Sequence, residues 1–374
     1  MNQKISIITV CLNSIKTIEK TINSVINQNN PNFEYIIIDG GSDDGTLAVI
    51  KRYRQHIACF ISEQDSGVYD AMNKGIRAAS GDVIAFLNSD DWYPEDTVDM
   101  VLKEFDEADC DIVYGNRYLV EKEGAFVTLN QIELDIDELR FEMILYHQAV
   151  FAKARIFNQI GSFDTKFKVA ADYDWLLKAY NNGMSFRYLK RPLVYFSYGG
   201  ISKTEVFQGV GEMKNIALGY LSNSEKEKAL SVIDERCKEI IRYHTLKGMD
   251  ELAGSDASGL GDIFSKYISL SEKVYVWGSG QMGVRCLSYL QALGVSIKAI
   301  VDSNAAKWNQ KINGIEIKDI QVLREEEYKI IITPAKSGDE IENKLEEWGY
   351  QKHKDYVLFS ELIDHATKHV LGRE

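Results

Sequence analysis

The chain has 374 residues, 45% of them hydrophobic and 26% charged, which is ordinary for a soluble globular protein and too long for one typical core. A formal net charge of −13 and a pI of about 5.1 exclude a general nucleic-acid binder, whose affinity rests on neutralising phosphates, though not a local basic patch at a membrane surface. The five cysteines, Cys11, Cys59, Cys110, Cys237 and Cys286, are scattered without Cys-x-x-Cys spacing, which excludes a disulfide framework and a zinc knuckle and points to a reducing cytoplasm.

In chain order, "KISIITV" reads as a first strand, lacking the longer apolar region of a signal peptide; no apolar stretch reaches the ~18 residues that span a bilayer. "TIEKTINSVINQ" puts Ile18, Ile22, Val25 and Ile26 on one helical face. "YIIIDGG" is a buried-type strand ending in a turn, "TLAVIKRY" a helix, "CFISE" a short strand, "YDAMNKGIRAA" a helix and "DVIAFLN" a strand. This alternation predicts an α/β fold with a mainly parallel sheet covered on both faces, binding its ligand at the strands' carboxyl ends. Further on, "IVYGNRYLVE" and "GAFVTLNQ" suggest a hairpin around Gly124, "ADYDWLLKAYNNG" a helix, and "SFRYLKRPLVYFSYGG" a strand whose proline suits an edge. Residues 205–270 read as a helical linker punctuated by "DELAGSDASGLGD". A second α/β pattern begins at "KVYVWGSGQMGVRCLSYLQALG" and runs through "SIKAIVDSN", "YKIIITPA", "DEIENKLEEWG" and "DYVLFS". The expected division is therefore 1–204, 205–270 and 271–374.

Acids gather where the strands of the first segment end. Asp39 closes "EYIIIDGG", Asp43-Asp44-Gly45 follows as a turn, Asp65 and Gly67 follow "ISEQ", and Asp90 and Asp91 close "IAFLNSDD". Adjacent carboxylates after an apolar run repel each other and are costly to bury. They belong to a solvated turn, or to a helix cap before Pro94, or to a cation site. Each acid alone is ordinary turn chemistry; together they converge on one cleft.

"ISIITVCLNSIKTIEKTINSVINQ", "FEYIIIDGGSDDGT", "SEQDSGVYDAMNKGIRAASGDVIAFLNSDDWY" and "AADYDWLLKA" resemble, in order and spacing, the family 2 glycosyltransferases with the GT-A fold, over residues ~4 to ~200. The resemblance implies a UDP-sugar donor and a divalent cation, Mn²⁺ or Mg²⁺, on Asp90 and Asp91, stabilising the leaving diphosphate. The family's Asp-x-Asp begins here with Asn88, a neutral ligand. The resemblance also implies that Asp39 accepts from the base imide, that Thr9, Asp65 and Asn73 stand on the donor side, and that Asp172 is the general base, with Ala171 replacing the family's glutamate. A helix cap is the structural alternative for Asp172. His147 and Gln148 of "YHQAVF" match a pair expected to face the acceptor. Where many members carry Arg before the Asn-x-Gly, this chain has Met72, leaving Lys74 and Arg77 as phosphate partners or as a solvated helix face. "YGGIS", residues 198–202, reads as a loop over the diphosphate or a plain turn.

In the last segment Gly278, Gly280 and Gly283 have Gly-x-Gly-x-x-Gly spacing after a strand, and Asp302 ends the next strand. This predicts a Rossmann-like accessory domain, similar to the small nucleotide-binding-like domain of sugar-modifying enzymes. No partner set for hydride transfer follows, so docking, regulation or contact between copies is favoured over redox chemistry. The whole then reads as a cytoplasmic, inverting, metal-dependent transferase acting on a glycan or a lipid-linked acceptor at the inner face of the membrane. A nucleotidyltransferase would need a Gly-rich basic loop that "TVCLNSIKT" is not. The other alternative is a nucleotide- or NAD-sensing module with a degenerate transferase domain.

Overall fold

The computed structural model describes residues 3–121, 126–198, 205–255, 257–269, 271–324, 328–334 and 338–371. The turn around Gly124 and residues 199–202 of the "YGGIS" loop lie outside these residues. The chain divides into two compact units, Met1–Cys237 and Lys238–Glu374. The division falls within the segment read as a linker: helix α7 (Val206–Tyr220) belongs to the first unit, the long helix α8 (Asn223–Gly254) spans it, and α9 (Ser258–Ser265) belongs to the second.

The first unit is built on β1 (Ile5–Cys11), α1 (Ile18–Ile26), β2 (Phe33–Asp39), α2 (Thr46–Arg52), β3 (Cys59–Ser62), α3 (Val68–Ala78), β4 (Val83–Phe86) and α4 (Thr97–Glu107). There follow β5 (Ile112–Glu121), β6 (Phe126–Asn130), β7 (Val150–Lys153), α5 (Ala154–Ile160), α6 (Ala171–Asn181) and β8 (Phe186–Ser197). One sheet runs β3-β2-β1-β4-β7-β5-β6, with β8 also pairing β5. The four strands β3, β2, β1 and β4 are parallel, as the β-α alternation predicts. All seven residues of β1 are buried, and the buried face of α1 (Ile18, Ile22, Val25) is the one its spacing marks. Gly75 lets α3 lie close on β1, since a Cβ there would stand 2.4 Å from Ile8 Cγ2. Beyond β4 the sheet turns antiparallel through β7. Pro192 of β8 sits opposite Asn116 at a register shift, a place in a sheet where proline is tolerated.

Register sets where the site opens. Cys11 pairs with Asp39, so β1 and β2 end level, but β4 reaches no further than Phe86 opposite Ile8. From Thr9 onward β1 has no β4 partner on that side. The space is taken by the turn Asn88–Asp91.

The second unit has its own sheet, β11-β12-β10-β9-β13-β14: β9 (Lys273–Trp277), β10 (Ser296–Val301), β11 (Lys311–Ile312), β12 (Ile315–Lys318), β13 (Lys329–Ile332) and β14 (Tyr356–Leu358). It is parallel except for β11 against β12. Helices α10 (Gln281–Ala292), α11 (Gly338–Glu347) and α12 (Phe359–Leu371) follow β9, β13 and β14. Leu287, Leu290, Leu345 and Leu362 of these helices are wholly buried, giving this unit a core of its own.

Candidate active site

A cleft of about 440 Å³ opens at the carboxyl ends of β1 and β4, lined among others by Cys11, Ser14, Asp65, Asn88, Asp90 and Gln148. The loop after β1 is locked to the β4 turn by Ser14 Oγ and Ser89 Oγ, 2.8 Å apart. Asp90 is half-buried on the wall, and burial raises its carboxyl above the usual range. Asp91 is fully buried. Its Oδ1 accepts Ser197 N at 2.9 Å, and its main-chain oxygen accepts Thr21 Oγ1 at 2.7 Å. Burial and then the charge of Asp90 push the Asp91 carboxyl well above its ordinary range, against the pull of Ser197, Arg117 and Gln148. Of the expected cation ligands, Asp90 lines the cleft, whereas Asp91 is enclosed, its Oδ1 tied to β8 and its Oδ2 buried without a hydrogen-bond partner. Beside Asp90, the amide oxygen Oδ1 of Asn88 is buried without a hydrogen-bond partner. Among the described residues no group of three His, Cys, Asp or Glu side chains could hold a metal alone.

Of the expected donor-side residues, Asp65 lines the cleft, its Oδ1 accepting Gly67 N at 2.9 Å. Gly40 is what lets it lie there, because a Cβ at Gly40 would meet Asp65 Oδ2 at 2.5 Å. Three other expected donor-side residues have their side chains engaged within the fold. Thr9 is wholly buried and its hydroxyl accepts Tyr35 OH at 3.1 Å; it points into the core. Asn73 is a staple: its Nδ2 donates to Phe163 O at 2.9 Å and its Oδ1 accepts Phe163 N at 3.0 Å. Asp39 is also buried, and its carboxylate accepts from Gly41 N, Ser42 N, Ser42 Oγ and Ser62 Oγ at 2.5–3.1 Å. Burial would raise its carboxyl, but these donors outweigh burial and hold it below the usual range. Asp39 thus shapes the loop after β2 and is absent from the cleft wall. Asp44 is turn chemistry, accepting Thr46 N at 2.9 Å and Ile15 N at 3.0 Å. Lys74 is held by Glu63 at 2.9 Å, and Arg77 is exposed.

On the acceptor side, Gln148 lines the cleft while His147 turns inward, stacked on Phe86 at 5.5 Å. Burial holds the imidazole below its ordinary pKa, opposed by the charge of Asp172, and its Nε2 is buried without a partner. Asp172, in the first turn of α6, does not lie on the wall of the large cleft. With His147, Phe86 and Trp175 it borders a cavity of about 10 Å³, room for one water. Its Oδ2 is 3.8 Å from His147 Nδ1, and its side chain keeps 17% exposure. It is not the helix cap: the cap position is Ala170, and Glu212 of α7 accepts the main-chain N–H groups of Lys168, Val169 and Ala170 at 2.9–3.1 Å.

In the second unit the glycine fingerprint is built into the packing. Gly278 has φ +109°, and a Cβ at Gly283 would fall 1.9 Å from Gly278 O. Gly280 faces open space. Asp302, expected to meet a ribose, spends its carboxylate on Ser279 Oγ, Asn304 N at 2.9 Å and Lys307 Nζ at 3.1 Å.

A model of "Glycosyl transferase family 2" matches residues 6–168. The PGL/p-HBAD biosynthesis glycosyltransferase of Mycobacterium tuberculosis H37Ra is 32% identical over 212 residues, 54% of this chain and 80% of that protein. The chain belongs to the family 2 glycosyltransferases. Glycosyltransferase GlyA of Streptococcus pneumoniae is 31% identical over 129 residues, 34% of this chain but 18% of that larger protein. Among solved structures, S. aureus TarS matches with a TM-score of 0.50 and 20% identity over 62% of this chain and 43% of that one, a likeness that shows the GT-A fold. The second unit of the transferase has a separate match, "C2185-like, N-terminal", over residues 270–355.

Sequence reasoning missed three residues at the transferase site. Tyr69 donates to Asp172 from within the quoted "SGVYDAMNKG" block. Arg117 lies over the rings of Tyr146 and Phe196, at 4.2 and 4.3 Å, with its charge toward Asp91. Phe196 lines the cleft from β8. Only Tyr69 carried a signal, a tyrosine at the mouth of a donor-side helix; the others depend on β8 returning beside the Asn88–Asp91 turn.

Proposed function

We propose that this transferase moves a sugar from a UDP-linked donor to a hydroxyl of a glycan or lipid-linked acceptor in one inverting displacement. The observation that carries the reading is the single cleft joining Asp65, Asn88, Asp90 and Gln148 at the carboxyl ends of the parallel strands. Asp65 stands toward the nucleotide and Gln148 toward the acceptor. The relatives' names support glycosyl transfer.

The donor set suits a divalent cation whose shell is completed by phosphate oxygens. Asn88 offers a buried oxygen without a partner and Asp90 a carboxylate, the hard oxygen ligands that Mg²⁺ and Mn²⁺ favour. When bound, such an ion supplies positive charge to the departing diphosphate. The raised carboxyl of Asp90 fits this role, since a cation favours its ionised form.

Asp172 takes the acceptor's proton. A partly exposed carboxylate beside a neutral imidazole is equipped for that work. It borders the small cavity that it shares with His147, and Gln148, next to His147 in sequence, lines the cleft. The test is UDP release from a panel of UDP-sugars with Mn²⁺. Release with one or more sugars, abolished by Asp90→Ala, supports the reading. No release from any UDP-sugar, with release from another nucleotide sugar, would move the donor assignment.

A further inference from the structure

Tyr69 lies in the first turn of α3, directly after Gly67 and Val68 on the cleft wall. Its ring is 7% exposed and packs on Phe163 at 5.5 Å. Its hydroxyl shares its proton between Val169 O at 2.7 Å and Asp172 Oδ1 at 2.9 Å. Burial, reinforced by the charge of Asp172, raises the phenol well above its ordinary range, so it stays a donor.

The two oxygens of Asp172 are thereby made unequal. Oδ1 accepts from Tyr69 and also from Tyr173 N at 2.9 Å. Oδ2 faces His147 Nδ1 at 3.8 Å, beyond hydrogen-bond reach. We infer that Tyr69 is a positioning residue for the Asp172 base, holding Oδ1 so that Oδ2 is the oxygen that receives the proton. This rests on the assignment of Asp172 as base. In the step it serves, the acceptor O–H bond breaks and its proton passes to Oδ2. The acceptor oxygen bonds the anomeric carbon, and the bond from that carbon to the diphosphate breaks, its electron pair leaving with the diphosphate.

Among the described residues, Asp172 meets Tyr69 from α3 and His147 from the turn before β7, and Glu212 from α7 acts on the Tyr69 phenol. Replacing Tyr69 by Phe changes one of them. The carboxylate loses a donor, and its Oδ1 keeps Tyr173 N.

The test uses the full chain with ¹³C-labelled aspartate. The Asp172 carboxyl resonance is assigned by its loss in Asp172→Asn and compared in wild type and Tyr69→Phe at one pH. A displaced resonance in Tyr69→Phe is expected, because Oδ1 loses one of its two donors. An unchanged resonance in a variant that melts as wild type overturns the inference. A second arm follows UDP release from UDP-N-acetylglucosamine with Mn²⁺ and water as acceptor. Here kcat falls about tenfold in Tyr69→Phe while KM stays within about twofold; a change in KM alone overturns the inference. If Asp172→Asn releases UDP at the wild-type rate, the base assignment fails, while the carboxyl resonance still decides whether Tyr69 holds Asp172.

Discussion

Asp90 and Asp91 are adjacent in sequence, yet their carboxylates meet different surroundings. Asp90 reaches the cleft, and Asp91 is fully buried with one oxygen on the main chain of β8. Asp90→Asn removes a charge that a cation needs, so the Mn²⁺-dependent rise in Tm with UDP is lost and UDP release falls by ~10² or more. Asp91→Asn keeps an acceptor for Ser197 N, so the Mn²⁺ response of a UDP melt is retained; its loss would restore Asp91 as a ligand. Asp172→Asn keeps UDP binding and lowers transfer by ~10² or more; an equal loss of UDP affinity would place Asp172 on the donor side. The sequence marked these acids because two carboxylates after an apolar run need an explanation. It could not say which one the sheet would enclose, since that depends on where β8 returns, more than 100 residues later.

At the scale of elements, the helix α3 is held by contacts that local pattern does not show. Asn73 clamps both main-chain groups of Phe163, 90 residues away. Asn73→Ala leaves a buried N–H and C=O unpaired and destabilises the fold by roughly 2–3 kcal/mol. The first unit then melts ~4–10 °C lower, while UDP affinity measured well below the melt stays within about twofold. A large loss of UDP affinity in the folded variant would return Asn73 to the donor side. The start of β2 carries a similar clamp. Glu34 accepts from Lys4 Nζ at 2.8 Å, Ser6 Oγ at 2.5 Å and Ser80 Oγ at 2.8 Å. Burial works to raise its carboxyl, but these bonds pull it down to about 2 from the ordinary 4.5. The unfolded chain takes up that proton near pH 4.5 and the folded chain resists until about 2. The stability Glu34 contributes, about 3 kcal/mol, is present above pH 4.5 and lost as pH falls toward 2. Glu34→Gln is therefore less stable than wild type at pH 7, and the gap narrows between pH 5 and 3 in urea titrations; a constant gap would mean that the carboxylate is not the cause. Strands and helices were legible here from period and from Gly–Asp punctuation, because burial on the sheet dictates them directly. For Asn73 and Thr9 the motif fixes the place in the chain and leaves the hydrogen-bond partner open, which is Phe163 for Asn73 and Tyr35 for Thr9.

At the scale of the molecule, each unit has its own sheet and its own core, and every residue assigned to transfer lies between Met1 and Cys237. The glycine fingerprint in the second unit was legible as a strand–turn–helix, and the structure contains that turn. Two of its glycines are accounted for by packing: Gly278 by its φ of +109° and Gly283 by the 1.9 Å approach of Gly278 O. Gly283→Ala drives a methyl into main chain that cannot step aside without breaking the turn, so the second unit loses several kcal/mol. If the units are independent in function, the variant shows two melting transitions, with the second unit's moved to lower temperature. It still gains Tm with UDP and Mn²⁺, and its UDP-sugar hydrolysis below the first transition matches wild type. Loss of the UDP response together with the second unit would show instead that the transferase site depends on the C-terminal half. A rise in Tm with NAD in wild type, erased by Asp302→Ala, would assign that half a dinucleotide. The carboxylate of Asp302 is already engaged by Ser279, Asn304 and Lys307, so no such rise is expected.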